Sequence, residues 1–201
     1  MKYEMKIVSA RKEIAGAPSL HIDSYRWTEK PGPETEARAV YVDNEGFLVQ
    51  MLCRESSPTA VHNEPDGPVH RDSCMEFFVN FDPEHDSRYI NFEANANGNL
   101  HSKIGSGRKD RVLLKDLVNI MPECRGSIKK ESWTLELFIP LKLVAEVYGR
   151  NSFAAGDVIK GNFYKCGDDT PDPHFGMWNP VDLPEPDFHR PEFFGSIELV
   201  R

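Results

Sequence analysis

Turn-forming residues divide the chain into short segments rich in aromatic and β-branched side chains, and this spacing limits what the chain can fold into. The 201 residues include 15 prolines and 14 glycines, without an internal repeat or low-complexity stretch. Short strands separated by frequent turn signals are typical of a β-sandwich or β-barrel. The length suits one domain, residues 1–201, and a hydrophobic content of 39% predicts a packed core. We therefore predict a single all-β domain built as an antiparallel sandwich.

Two hairpins follow from local patterns. Residues 39–42 and 47–52 are apolar and flank Asp-Asn-Glu-Gly at 43–46, a combination that favours a tight reversal. Further on, Ala-Asn-Gly-Asn at 96–99 predicts a type I′ turn that leads into a strand over residues 100–104. Both hairpins join strands that are neighbours in the chain, as the antiparallel prediction requires.

A single short helix is predicted over residues 140–149, which begin with proline and end with glycine. A second helical turn is expected near residues 113–117. Every other segment has the length and composition of strand or turn, so the fold class is all-β with one or two short helices.

The strand predicted over residues 89–95 separates apolar from polar side chains. Because successive side chains of a strand point to opposite faces, the two faces can be assigned from the sequence. One face carries Ile90, Phe92 and Ala94, and the other carries Tyr89, Asn91, Glu93 and Asn95. The pattern predicts a core-facing side and a row of hydrogen-bonding groups on the opposite side.

Charge and hydropathy exclude some partners. The formal net charge is -8, and nucleic-acid binding normally requires a basic face, so a nucleic-acid partner is not expected. No run of about 18 apolar residues could span a bilayer, and the first residues lack the apolar segment of a secretory signal. The chain as written is expected to be cytoplasmic, or extracellular if a signal has been removed.

Metal and cofactor signals are sparse. The cysteines, Cys53, Cys74, Cys124 and Cys166, form no C-x-x-C pair and are expected to be reduced and structural. The histidines share no metal-ligand spacing. Oxygen ligands for calcium could come from residues 82–86, which include Asp82, Glu84 and Asp86, although an ordinary solvated turn is the favoured interpretation.

The long segment between residues 166 and 192 is the best candidate for a site, because ordered loops on a rigid scaffold often carry function. It contains His174, Trp178 and Asn179 among prolines and acids. An indole face can stack on the apolar face of a sugar ring while polar side chains bond its hydroxyls. The alternative is that Trp178 closes one end of the sandwich. Trp27 and Trp133 are expected in the core.

Three segments together resemble a known family. Residues 71–79, followed by 89–93, are similar to the core strands of family-nine carbohydrate-binding modules, and residues 186–197 resemble the end of their family-nine-like relatives. Such modules are similar to DOMON-type domains. The resemblance extends from about residue 27 to residue 199, and it implies an immunoglobulin-like sandwich of two antiparallel sheets.

The resemblance also implies a function and a site. It implies non-catalytic binding of a poly- or oligosaccharide, such as xylan or a glycan end, in association with glycan degradation, with calcium ions supporting loops in some members. Two tryptophans clamp the sugar in the best-known members, but residues 54–70, where a second wall could come from, contain no Trp, Tyr or Phe here. A one-sided site follows, whose expected residues are Trp178, Asn179, His174, Arg71, Asn91, Glu93 and Asn95.

Three other functions stay open at the level of sequence. A glycan-acting enzyme would need two carboxyl groups about 5–10 Å apart in a cleft, and no spacing singles out such a pair. A haem-binding DOMON-like domain would use Met51, Met75 or Met177 with a histidine, although methionines in such strands are usually core residues. A protein-interaction sandwich without a small ligand is compatible with the same fold. Phosphate-loop, dinucleotide and zinc-protease motifs are absent from the sequence.

Overall fold

The computed structural model describes all residues from 1 to 201, and short strands make up most of its regular structure. The strands are β1 Lys2–Val8, β2 Leu20–His21, β3 Ser24–Tyr25, β4 Thr35–Val42, β5 Gly46–Cys53, β6 Cys74–Asn80, β7 Tyr89–Asn95, β8 Leu100–Gly105, β9 Val112–Leu113, β10 Glu123–Ile128, β11 Trp133–Pro140, β12 Val158–Cys166, β13 Phe175–Met177 and β14 Gly195–Val200. One α-helix, α1, covers Leu141–Tyr148, and 3-10 turns cover Arg11–Gly16, Val69–Arg71, Leu114–Asp116 and Pro191–Phe193. The predicted all-β class is confirmed.

The strands form two halves that the first strand joins. The order is β10-β11-β5-β4-β1-β14-β12-β6-β7-β8-β9, so β1 lies between β4 and β14. It runs parallel to both, with Ile7 opposite Tyr41 and Tyr3 opposite Ile197, whereas the other pairs are antiparallel. The prediction of a purely antiparallel sandwich therefore needs correction: the sheet is mixed, because its first strand closes the gap between two antiparallel halves.

The main core lies between these two halves. Thirty-four buried residues form it, with inward side chains of β4, β5 and β11 facing those of β6, β7 and β12. Phe47 and Phe81 meet across it with ring centroids 4.7 Å apart, and within one half Phe77 stacks on its cross-strand neighbour Phe163 at 4.5 Å. Full burial of one such side chain contributes about 1.5–3 kcal/mol. Packing between the halves thus confirms the sandwich architecture.

Both predicted hairpins form, but one turn type differs from the prediction. β4 and β5 pair with Val42 opposite Gly46, and Asn44 takes the left-handed conformation between them. In the connection from β7 to β8, Gly98 alone has a positive φ, of 82°, and its N–H donates to the Asn95 carbonyl at 2.8 Å. A type I′ turn requires positive φ at two central residues, so that prediction is wrong.

The predicted helix is confirmed over Leu141–Tyr148. Pro140 precedes it, and Gly149 ends it with φ of 72° while donating its N–H to the Ala145 carbonyl at 2.9 Å. The second helical turn is present as the 3-10 segment Leu114–Asp116. None of the helices has the length and apolar character needed to cross a membrane.

A second, smaller core lies on the outer side of β6, β7 and β12. Loop residues pack there against outward side chains such as Phe78, Tyr89 and Tyr164. Trp27 joins this layer, with ring centroids 5.8 Å from Phe188, and its indole N–H donates to the Leu183 carbonyl. The sheet is consequently covered on its outer face as well, except where polar side chains keep a cleft open.

A buried cation closes one end of the sandwich. The Lys165 ammonium is 0% exposed, donates to His174 Nε2 at 2.7 Å and lies 3.5 Å from the Glu55 carboxylate. Glu55 also accepts from Trp133 Nε1 at 2.9 Å and from Ser73 Oγ at 2.7 Å. Burial alone would raise the pKa of Glu55, but Lys165 and these hydrogen bonds hold it below its ordinary value.

Replacing Glu55 tests this network. Since the folded pKa is lowered, the ionised carboxylate adds stability above about pH 4.5, and that contribution is lost as the pH falls through the folded pKa. At neutral pH we expect Glu55→Gln to cost about 3 kcal/mol, because it leaves Lys165 without a counter-charge, and to reduce the loss of stability on acidification. Urea unfolding at several pH values measures both effects.

The control is Glu34→Gln, which removes a carboxylate paired with Arg54 at the exposed surface. We expect a change below about 1 kcal/mol for this exposed pair. Equal unfolding free energies for both variants would show that the buried network contributes nothing beyond a surface pair.

Candidate functional site

A cleft of about 500 Å³ opens on the outer face of the sheet formed by β6, β7, β8 and β12. Its floor carries Glu76, Glu93, Lys103 and Cys166, which are outward side chains of these four strands. Its walls come from the loops that contain Gly67, Arg108 and Asp187. A volume of this size is typical of small-molecule sites. Rigid strands thus position the floor, and loops complete the rim.

The deepest polar groups form a connected row. Arg111 donates from Nη1 to Asn91 Oδ1 at 3.0 Å, and Asn91 donates from Nδ2 to Glu93 Oε1 at 2.9 Å. Arg111 Nη1 also lies 3.8 Å from Glu93 Oε1. Glu93 sits directly opposite Glu76 in the pairing of β6 with β7, so the two carboxyl groups share the floor. Arg111 and Glu93 thus offer a donor and an acceptor to the cleft, and the buried Asn91 connects them.

Burial governs the electrostatics of this floor. It raises the pKa of Glu93 to about 7, against the opposing attraction of Arg111, and it raises the pKa of Glu76 well above the usual glutamate range. Arg108 forms an ion pair with Asp187 at the rim, 2.9 Å apart. The cleft therefore presents charged and hydrogen-bonding groups from several directions without being strongly basic or acidic.

Aromatic side chains form part of the wall. Phe175 is half-buried and lies beside Trp27, with ring centroids 6.3 Å apart. Phe188 stacks on Tyr164 with centroids 4.1 Å apart, so one of its faces is covered by protein. Phe175 is consequently the aromatic residue of the cleft with most ring surface left to offer.

Trp178 does not provide the stacking surface expected from sequence. It is 5% exposed, belongs to the main core and meets Phe163 edge to face with ring centroids 6.0 Å apart. A Cβ added to Gly195 would come within 2.5 Å of the indole, so Gly195 makes room for the ring. The expectation of an exposed indole wall is corrected in favour of the alternative, in which Trp178 closes part of the sandwich.

The polar neighbours of Trp178 in the loop also have structural contacts. Asn179 donates from Nδ2 to the Phe193 carbonyl at 2.6 Å, and its backbone N–H donates to Asn162 Oδ1 at 2.9 Å. His174 accepts from Lys165, and its Nδ1 lies 2.7 Å from the Asp172 carbonyl. Neither side chain lines the cleft.

The remaining predicted site residues divide between the cleft and the scaffold. Arg71 points to Asp169, to which its Nε donates at 2.6 Å, and does not line the cleft. Asn95 donates to the His62 carbonyl at 2.8 Å and holds a loop. Glu93 lines the cleft, and Asn91 lies beside it in the hydrogen-bonded row. The predicted polar face of β7 is real, but only its middle part reaches the cavity.

Several cleft residues were missed in the sequence. Glu76 lies on the same sheet face as Glu93, a placement that alternation along residues 74–80 could have shown. Alternation along β8 likewise puts His101 and Lys103 on that face. Arg108 and Arg111 lie in a loop, and no local pattern in the sequence points to them.

The acidic residues considered as calcium ligands and the methionines considered as haem ligands do not line the cleft. Asp86 bonds Arg88, Asp82 bonds His85, and these carboxylates do not converge with Glu84. The methionines considered for haem ligation are buried in the two hydrophobic clusters, as Met51, Met75 and Met177.

The family profile described as carbohydrate-binding family 9 matches residues 9–199. The chain belongs to this family. Membership confirms the prediction of a carbohydrate-binding domain, while the DOMON-like label stays a prediction. Curated protein sequences gave no significant match.

Solved structures show the same fold. A protein from Bacteroides uniformis ATCC 8492, provisionally described as carbohydrate-binding, is 29% identical with a TM-score of 0.82, and the match covers 99% of both chains. A family 9 module from Caldicellulosiruptor kristjanssonii in complex with cellotriose has 10% identity and a TM-score of 0.70, covering 99% of this chain and 93% of that one. A structure of a family 9 module from the same organism with glucose has 11% identity and a TM-score of 0.71, covering 100% and 96%.

Two adjacent carboxyl groups also bear on the enzyme alternative. Glycoside hydrolysis assigns opposite protonation states to its two carboxyl groups, one acting as acid and the other as base or nucleophile. Burial raises the pKa of both Glu76 and Glu93, and the pairing of β6 with β7 holds the two side chains directly opposite each other.

The protonation of His189 provides a test of this site. Burial and the nearby Arg111 and Arg108 lower the pKa of His189 to about 2, and its Nδ1 lies 3.0 Å from the Tyr89 hydroxyl. We expect its imidazole NMR signals to stay unchanged from about pH 8 to about pH 4. The exposed His85, whose pKa Asp82 raises, serves as the titrating control.

Because the unfolded chain binds the His189 proton below about pH 6.5 and the folded chain does not, this residue makes stability fall as the pH decreases from that value. A midpoint for His189 near that of a free histidine would contradict a buried, neutral ring in the cleft wall.

Proposed function

We propose that the protein binds the terminal sugar unit of a gluco-configured oligosaccharide in this cleft without breaking a bond. The observation that carries the proposal is the row Arg111–Asn91–Glu93, which is held by hydrogen bonds on a rigid floor. Two similar folds were solved with cellotriose and with glucose, and this supports the choice of sugar class.

The chemistry of the row suits a polyol. Each sugar hydroxyl both donates and accepts, so the Arg111 guanidinium and the Glu93 carboxylate can satisfy neighbouring hydroxyls together, while the buried Asn91 amide holds these two groups in place. Lys103 adds another donor from β8, next to Asn91 in the strand pairing. Hydrogen bonds to charged groups are worth about 1.5–3 kcal/mol each when they are buried from water.

Phe175 supplies the apolar contact in this proposal. Trp27 packs edge to face against it, which limits its motion and leaves ring surface on the cleft side. Stacking from one side contributes about 0.5–1.5 kcal/mol beyond area burial, by analogy with aromatic pairs. A single aromatic wall therefore fits a modest affinity.

The cavity size favours a chain end. A volume of about 500 Å³ bounded by loops from three parts of the chain has room for a few sugar rings and not for an extended polymer. Recognition of chain ends would suit a role beside enzymes that degrade glycans. Xylan fragments are candidate ligands together with gluco-oligosaccharides.

Calorimetric titration with glucose, cellotriose and xylotriose tests the proposal on the metal-free protein. We expect one site per chain, with oligosaccharide and monosaccharide affinities within about tenfold of each other because the end unit makes most contacts. Absence of binding to all three sugars, in protein whose fold is verified by circular dichroism, would overturn the proposal.

Substitutions then locate the site. Arg111→Met removes the donor to Asn91 and should weaken sugar binding by about 10- to 100-fold, whereas Phe175→Ala should weaken it about 2- to 10-fold. The matched control is Trp178→Phe, which should lower the unfolding temperature through core loosening and leave the affinity of the folded protein unchanged.

The opposite pattern would place the ligand elsewhere. If Trp178→Phe reduced sugar affinity while Arg111→Met and Phe175→Ala bound normally, the site would be the loop around residue 178 and not the cleft.

A further inference from the structure

Three groups that commonly ligate metals converge at the floor of the cleft. Cys74 and Cys166 sit directly opposite each other in the antiparallel pairing of β6 with β12. Glu76 follows Cys74 by two residues, so all three side chains point to the same outer face. Two rigid central strands thus fix the relative positions of two thiols and one carboxyl group.

The distances between these groups are short. Cys166 Sγ lies 3.1 Å from Glu76 Oε1, and Cys74 Sγ lies 3.9 Å from the same oxygen. One ligand atom from each residue lies within 4.8 Å of the other two. Ligands around a tetrahedral ion with bonds of about 2.0–2.3 Å are separated by about 3.3–3.8 Å, so small rotations would complete a site.

A second observation points to a missing partner. Glu76 is 2% exposed, and its Oε2 is buried without any hydrogen-bond partner in the protein. An unpaired buried carboxyl oxygen is costly, and such groups normally have a reason. Glu76 and Cys166 both line the cleft, which gives an ion from solvent a path to this oxygen.

We propose that Cys74, Glu76 and Cys166 bind one zinc ion, with a fourth coordination position facing the cleft. Thiolates select zinc over calcium or magnesium, and a set of three protein ligands with one open position is a common zinc arrangement. This proposal goes beyond sugar binding and does not require it, although Glu76 and Cys166 line the same cleft as the proposed sugar site.

Neither a disulfide nor a pair of free thiols provides partners for both carboxyl oxygens of Glu76. A disulfide between Cys74 and Cys166 would remove the thiol that donates to Glu76, leaving both carboxyl oxygens of a buried side chain short of partners. Free thiols satisfy only Oε1. A zinc ion would take both sulfurs and the carboxylate together.

Binding changes the charge of the cleft floor. Two thiols and one carboxyl group lose their protons to solvent, and the resulting Zn²⁺–dithiolate–carboxylate unit carries one net negative charge. Lys103, Arg108 and Arg111 in the same cleft offset this charge. Proton release on metal addition is therefore a direct sign of this ligand set.

Cobalt and zinc titrations of the protein, stripped of metal and kept reduced by a phosphine, test the proposal. We expect one equivalent of Co²⁺ to produce a thiolate-to-metal charge-transfer band that Zn²⁺ removes, and competition with a chromophoric chelator to give a zinc Kd below about 1 µM. Cys74→Ser, Cys166→Ser and Glu76→Gln should each weaken binding by at least about 100-fold.

Cys124→Ser is the matched control, since Cys124 lies on β10 in the other half of the sandwich. It should bind zinc as the natural protein does. Glu76→Gln keeps the shape of the side chain, so a variant that folds and still binds zinc with unchanged affinity overturns the proposal.

Two further results would overturn it. One is the absence of a charge-transfer band in reduced protein with four free thiols. The other is a Cys74–Cys166 disulfide that forms in metal-free protein while reduced protein binds no zinc. Sugar titrations with and without zinc separate this outcome from failure of the proposed function, because glycan binding is expected in metal-free protein.

Discussion

The alternation of side chains along β6, β7 and β12 is the constraint on which the rest of the structure depends. These strands lie in the middle of one half of the sheet, so both of their faces are covered. Inward residues such as Phe77 and Phe163 belong to the core between the two halves, while the outward residues that alternate with them carry the polar chemistry. A shift of one residue in their pairing would exchange the two sets and remove both the core and the cleft.

Burial of so many polar groups is possible because nearly all of them have partners. Asn91, Arg111 and Glu93 bond one another, and Lys165 is matched by Glu55 and His174 on the opposite face of the same sheet. Networks of this kind are stable only when their members are satisfied, since the interior strengthens good contacts and penalises missing ones. Glu76 Oε2 is one of four buried side-chain atoms without a partner, and its side chain lines the cleft, where a ligand can reach it.

The strands and their two faces could be predicted because they depend on short-range patterns. Alternation placed Asn91 and Glu93 on one face, and proline and glycine placed the helix at Leu141–Tyr148. The parallel pairing of β1 with β4 and β14 could not be predicted in this way, since it joins residues far apart in the chain. Arg111 belongs to the same class: its bond to Asn91 depends on the path of a loop.

The aromatic side chain at the cleft is Phe175 and not the predicted Trp178, and this difference has a local cause. Residues 175–177 form a strand, β13, that pairs with β12, and the Trp178 N–H continues this ladder by donating to the Phe163 carbonyl. Alternation therefore sends Phe175 outward to the cleft and Trp178 inward to the core. The same period that assigned the faces of β7 applies here, but the surrounding prolines and acids made the segment resemble a loop. If residues 175–177 had been recognised as a strand, the predicted aromatic contact would have been Phe175, which lines the cleft, and not Trp178.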